Sequence, residues 1–147
     1  MVRYGPYWIN LGMAPYKRVL LVDDDEDDQA FFLEGIKGLD QRVDCIVAQN
    51  GKEALEILLT DYPKPDIIFL DLNMPLMNGR EFLSTIRNYG QLLRIPIIIL
   101  STSSEENLKL ETVKLGARGF ITKPDKFHLW ESTLSEFFTD ARLKSDR

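Results

Sequence analysis

Short runs of Val, Ile and Leu recur five times along the 147 residues, at 18 to 22, 43 to 48, 66 to 71, 95 to 101 and 118 to 122. A strand with one wet face alternates apolar and polar side chains, whereas these runs are nearly continuous, as strands covered on both faces of a parallel sheet are. Between them the apolar residues fall at helical spacing: Phe32, Ile36 and Leu39; Leu55, Leu58 and Leu59; Phe82, Leu83 and Ile86; Leu110, Val113 and Ala117. A last stripe, Phe127, Trp130, Leu134, Phe137 and Phe138, predicts a fifth helix laid on the core. Gly38, Gly90 and Gly116 are placed to stop helices. Tyr62-Pro63-Lys64-Pro65 cannot continue one, because proline lacks the amide donor and disfavours the α region for its predecessor. Strand, crossover helix and parallel strand, repeated, predict an α/β sandwich of three layers around a five-stranded parallel sheet.

The composition, 44 % apolar and 28 % charged, is that of one globular domain with a substantial core. A net charge of −5 argues against nucleic acid or anionic lipid as the main partner. Nothing approaches the roughly 20 apolar residues of a membrane helix, so no membrane is expected. The one cysteine, Cys45, rules out an internal disulfide framework, fits a reducing cytoplasm and reads as core filling in the second strand. Residues 1–16 contain Gly5, Pro6, Gly12 and Pro15 and lack the apolar run of a signal peptide. They read as an extension: an arm packed through Tyr4, Tyr7 and Trp8, or an over-extended start with Met13 as first residue. Residues 17–138 form the expected domain, and 139–147, with Arg142, Lys144 and Arg147, a solvated tail.

The first strand empties into Asp23-Asp24-Asp25-Glu26-Asp27-Asp28. In open parallel sheets the ligand site lies outside the carboxyl ends of the strands, where the third run delivers Asp71, the fourth Ser101 and the fifth Lys123. Carboxylates sharing a pocket repel unless a cation compensates them. Oxygen ligands without His or Cys select a hard ion, which points to Mg²⁺. Asp25, Glu26, Asp27 and Asp28 are assigned to the positive end of the following helix, and Asp23 and Asp24 to the metal. Asp71, opposite that pair, is placed to act as a nucleophile toward a phosphoryl group, with Lys123 and Ser101 on the phosphoryl oxygens.

The ordered set Asp23-Asp24, Asp71-Leu-Asn-Met-Pro with Gly79, Ser101, Phe120 and Lys123-Pro124 resembles the response regulator receiver domain of the chemotaxis-regulator type, across roughly residues 17 to 138. The resemblance implies a flavodoxin-like, CheY-like (βα)5 fold with strand order 2-1-3-4-5. It implies Asp71 as phosphoacceptor, supplied by a histidine kinase or a histidine phosphotransfer protein. Asp24 would ligate Mg²⁺ directly and Asp23 through water, with Asp71 and the backbone carbonyl of Asn73 completing the set. Ser101 and Phe120 would form the hydroxyl–aromatic switch, with the inward ring favoured because Phe has no hydroxyl to hold it in water. Output is expected by contact with a downstream protein through the fourth helix and fifth strand, with homodimerisation open and no enzymatic activity beyond the domain's own phosphotransfer and autodephosphorylation. The chain departs from the pattern in having Ser where Thr is common at the switch, and in its amino-terminal extension.

For Lys123 to turn back over the strand ends, a cis peptide before Pro124 is expected. His128 reads as a surface or capping residue. Flavin-binding carriers share the architecture, but their phosphate cradle would be repelled by the first acidic loop. Aspartate-nucleophile phosphatases want an Asp where Asn73 stands. A receiver fold used only as a phosphorylation-independent binding module is the remaining alternative, against which the mutually repelling carboxylates argue.

Overall fold

The structure, a computed structural model, describes residues 16–60 and 63–145, with side chains described to residue 139. Strands β1 (Arg18–Val22), β2 (Asp44–Ala48), β3 (Ile67–Asp71), β4 (Ile97–Ser101) and β5 (Gly119–Thr122) alternate with helices α1 (Glu26–Leu39), α2 (Gly51–Thr60), α3 (Gly79–Ile86), α4 (Glu106–Lys114) and α5 (Trp130–Ser145). All strand pairings are parallel, in the order β2-β1-β3-β4-β5, as the resemblance implies.

Successive strand residues face opposite sides of a sheet, and the core divides accordingly. Leu20, Val22, Ile68, Leu70, Ile97 and Ile99 pack with Ala54, Leu58, Phe82, Leu83 and Ile86 of α2 and α3. Val19, Leu21, Ile67, Phe69, Ile98, Leu100 and Ile121 pack with Phe32 and Ile36 of α1 and Trp130, Leu134 and Phe138 of α5. In this second layer the Phe69 ring lies 5.0 Å from Phe32 and 5.9 Å from Phe138, and Phe32 meets Trp130 edge-on at 6.4 Å. Losing such a buried ring costs about 3–5 kcal/mol.

Five expectations are corrected. First, β2 is an edge strand: Cys45 and Val47 pack half-buried on the α1/α5 side, while Asp44 and Ile46 face solvent. Burial still pushes the Cys45 thiol up to about 11, away from reactivity.

Second, Gly38 does not stop α1, which runs through Leu39 to a cap at Asp40. A Cβ at 38 would fall 2.0 Å from the Glu131 carboxylate of α5, so the absence of a side chain here leaves room for the end of Glu131. Third, Gly90 opens a short 3-10 turn, α3 having ended at Ile86. Gly116 (φ 111°) does follow α4 in the left-handed conformation that glycine tolerates.

Fourth, α4 sits rotated from its expected face. Thr112 is its buried residue, flanked by half-buried Leu108 and Leu115, whereas Leu110 and Val113 are 57 % and 61 % exposed. Fifth, Phe127 lies in a 3-10 turn before α5, where the helical stripe does not reach, and is 65 % exposed.

The expected amino-terminal arm, Met13 and Tyr62 lie outside the described residues, as do the side chains of Arg142, Lys144 and Arg147. Tyr16, where the description begins, packs on Phe138 with ring centroids 5.6 Å apart.

Candidate functional site: an acidic cluster bridged by a lysine

Four strand ends and the start of α1 build the site. Asp23, directly after β1, is fully buried; its amide donates to the Ala48 carbonyl, and its carboxylate accepts from the Asp25 amide at 3.0 Å. Asp25 caps α1 by accepting from the Asp28 amide. Asp24, between them, is exposed.

Asp71 ends β3 and is 8 % exposed. The loop after it is pinned: the Gly79 amide donates to the Leu72 carbonyl at 3.0 Å, and the Gly51 amide of α2 to the Met77 carbonyl at 2.9 Å. Asn78 and Glu81 close a capping box at the start of α3. Gly79 is required here, since a Cβ would stand 2.7 Å from the Asp71 carbonyl and the Leu72 Cα. Within this loop Leu76 adopts φ 61°, a conformation costing a residue with a Cβ about 1–2 kcal/mol. Its side chain is exposed; Asn73, nearer Asp71, is exposed too.

Carboxylate oxygens of Asp23, Asp24 and Asp71 lie within 4.8 Å of one another. Lys123 reaches in from the end of β5, its Nζ 2.7 Å from Asp28, 2.9 Å from Asp23 and 3.5 Å from Asp71. Its amide donates to the Ser101 carbonyl. The buried Ser101 hydroxyl accepts from the Ser103 amide at 3.1 Å and keeps its proton to donate. Phe120 is half-buried beside this layer, with the Lys109 ammonium of α4 5.7 Å from its ring.

Burial pushes Asp71 up to about 6; Lys123 opposes the shift, and Asp23 and Asp24 add to it. Asp23 is also raised by burial, against the Asp25 amide and Lys123. Burial alone would lower the Lys123 ammonium, but hydrogen bonds to Asp28 and Asp23 and the fields of Asp23 and Asp71 outweigh it and hold it above its ordinary range. This oxygen-only set, with one exposed and two buried carboxylates, fits a hard divalent cation.

The structure thus brings together Asp23, Asp24, Asp71 and Lys123, with Ser101 on the same edge. It adds Asp28, which sequence reasoning had left to the helix dipole. Asp28, in the first turn of α1, pairs with the Lys123 ammonium alongside Asp23. His128 is exposed in the turn before α5, its ring edge-on to Phe127.

A doubly wound sheet whose carboxyl edge gathers three aspartates, a serine and a lysine defines a receiver domain. The chain belongs to the response regulator receiver domain family, whose family model matches residues 19–133, and it is a response regulator receiver of two-component signalling. It is 32 % identical over 114 residues to the response regulator Rcp1 of Synechocystis, covering 74 % of this chain and 78 % of that protein. It is 40 % identical over 110 residues to the transcriptional regulatory protein YdfI of Bacillus subtilis, covering 72 % of this chain, and 33 % over 106 residues to the sensor histidine kinase CheAY of Helicobacter pylori, again covering 72 %. The matches span 47 % of YdfI and 13 % of CheAY.

Among solved structures, the phosphorylated cyanobacterial phytochrome response regulator RcpA superposes with a TM-score of 0.76 at 28 % identity, covering 83 % of this chain and 91 % of that one. The Mn²⁺-bound form of Rcp1 gives 0.72 at 29 %, covering 83 % and 94 %.

Proposed function

We propose that Asp71 accepts a phosphoryl group from a phosphohistidine on a histidine kinase or histidine phosphotransfer protein, in a Mg²⁺-dependent reaction, and that the phosphorylated chain signals by contact with another protein. The unit that does this is residues 17–138, working in the cytoplasm. The observation that carries the reading is Asp71 at the end of β3, among the carboxylates of Asp23 and Asp24 and 3.5 Å from Lys123. The phosphorylated state of RcpA and the Mn²⁺ bound to Rcp1 support it.

An Asp71 carboxylate oxygen forms the new bond to phosphorus as the donor's nitrogen–phosphorus bond breaks, and the imidazole leaves with that electron pair. Lys123 stays charged and attracts a phosphoryl oxygen, while Ser101 turns its hydroxyl proton toward another. Mg²⁺, held by Asp24, Asp71, the Asn73 carbonyl and, through water, Asp23, would supply neutralisation of the phosphoryl charge. The phosphoryl group adds about −1.5 to −2 charges. Drawing Ser101 inward vacates space for the Phe120 ring and so biases the α4–β5 surface between two states.

Incubation with Mg²⁺ and a small acyl-phosphate donor tests the reading. One hydroxylamine-labile phosphoryl mass is expected, absent from Asp71→Asn; undiminished labelling of that variant overturns the assignment.

A further inference from the structure

We infer that Leu76 is an apolar contact for the protein that delivers the phosphoryl group, and so helps determine which donor is accepted. The inference rests on the proposed role of Asp71. Leu76 is doubly unfavourable in the free chain: it holds φ 61° with a Cβ, and its side chain is 75 % exposed. Asn or Gly would tolerate that backbone better and hide no apolar surface from view. The loop cannot simply relax, because both of its flanks are pinned through the Gly79–Leu72 and Gly51–Met77 hydrogen bonds and buried Met74 anchors its middle. Leu76 is therefore presented from a fixed platform.

That platform belongs to the loop that leaves β3 directly after Asp71. Asp71 is 8 % exposed, so a phosphohistidine can reach it only if the surface carrying it settles on the surrounding loops. Much of this rim is polar or acidic, with Asp24, Asp25, Asn73 and Thr102 exposed. Leu76 offers it an apolar contact, on the same loop as the acceptor. A small acyl phosphate carries no protein surface to settle on these loops, which separates a docking role from a chemical one.

The experiment compares wild type with Leu76→Asn, Leu76→Gly and Leu76→Met. One donor is a small acyl phosphate with Mg²⁺; the other is the autophosphorylated histidine kinase, from the source organism, that labels the wild type fastest. With the small donor all four chains should label at equal rates. With the kinase, Asn and Gly should lower kcat/KM about tenfold, mainly through KM, equivalent to about 1.4 kcal/mol, while Met retains the wild-type value. Asn and Gly should also raise the melting temperature by about 2–4 °C, so that slower transfer cannot be blamed on a damaged fold. Equal kinase transfer to all four chains overturns the inference, as does an equal loss with both donors. A wild type labelled by neither donor overturns the reading of Asp71 itself, and this inference with it.

Discussion

Asp28 holds the Lys123 ammonium at 2.7 Å, closer than the 3.5 Å that separates the same ammonium from Asp71. The lysine is therefore drawn toward α1 rather than committed to the acceptor. Asp28→Asn removes one charge-assisted partner from a partly buried group and should destabilise the fold by about 1–2 kcal/mol in urea denaturation. Labelling at Asp71 should persist, since Asp23 still anchors Lys123. Loss of labelling in a folded variant would contradict this.

Asp71→Asn should stabilise the metal-free protein at neutral pH. The folded-state pKa of Asp71 is raised to about 6 by burial, so the folded chain binds this proton more tightly than the unfolded one. The corresponding stability is present below the usual carboxylate range and is lost as pH rises through about 6. At pH 7 the variant should gain about 2–3 kcal/mol over the wild type, the difference shrinking toward pH 4. Chelator-treated samples unfolded in urea across that range provide the measurement; a constant difference would contradict the argument.

Mg²⁺ should raise the melting temperature by mass action, adding about 2.7 kcal/mol at a hundredfold excess over its dissociation constant. Asp24→Ala should remove most of this gain, because Asp24 is the exposed member of the carboxylate cluster. A wild type indifferent to millimolar Mg²⁺ would count against the metal site.

Gly79→Ala places a methyl 2.7 Å from backbone atoms of Asp71 and Leu72, atoms that cannot swing aside. A loss of about 1–3 kcal/mol is expected, together with slower labelling because the acceptor's own loop must shift. Gly38→Ala makes a nominally closer contact, but with the flexible end of Glu131, and should cost less. A reversed order of the two melting temperatures would show that the rigidity of the neighbour does not decide.

Phosphorylation should alter α4 and Phe120. Amide exchange with and without a phosphoryl mimic should change in α4 and around Phe120, not only in the loops after β1 and β3. Changes confined to those loops would rule out this output route.

Strand positions were legible in the sequence because buried parallel strands are nearly continuous apolar runs, and strand order came with the family resemblance. Asp71, Ser101 and Lys123 were legible because the carboxyl ends of parallel strands share one edge, whatever the helices do. Asp28 was hidden by its ordinary context, an acidic first turn that the helix dipole already explains. The buried face of α4 was misread because Leu108, Leu110, Val113 and Leu115 are scattered around a short helix, and the row through Thr112 carries a polar residue. Gly38 resembled a stop signal, but α1 runs on through Leu39, and only the placing of α5 shows that the position makes room for the Glu131 side chain.

The two faces of the sheet hold their helices by different means. Behind it, the rings of Phe32, Phe69, Trp130 and Phe138 interlock, and Gly35 lets α1 come close to the backbone of α5 at Trp130 and Glu131. In front, α4 is held by buried Thr112, half-buried Leu108 and Leu115, the Arg80–Glu111 ion pair and the bond from Arg87 to the Lys114 carbonyl. A phosphoryl charge at Asp71 should therefore shift α4 before it disturbs the interlocked rings. The concentration of aromatic residues on one face would then fix the direction in which the domain yields.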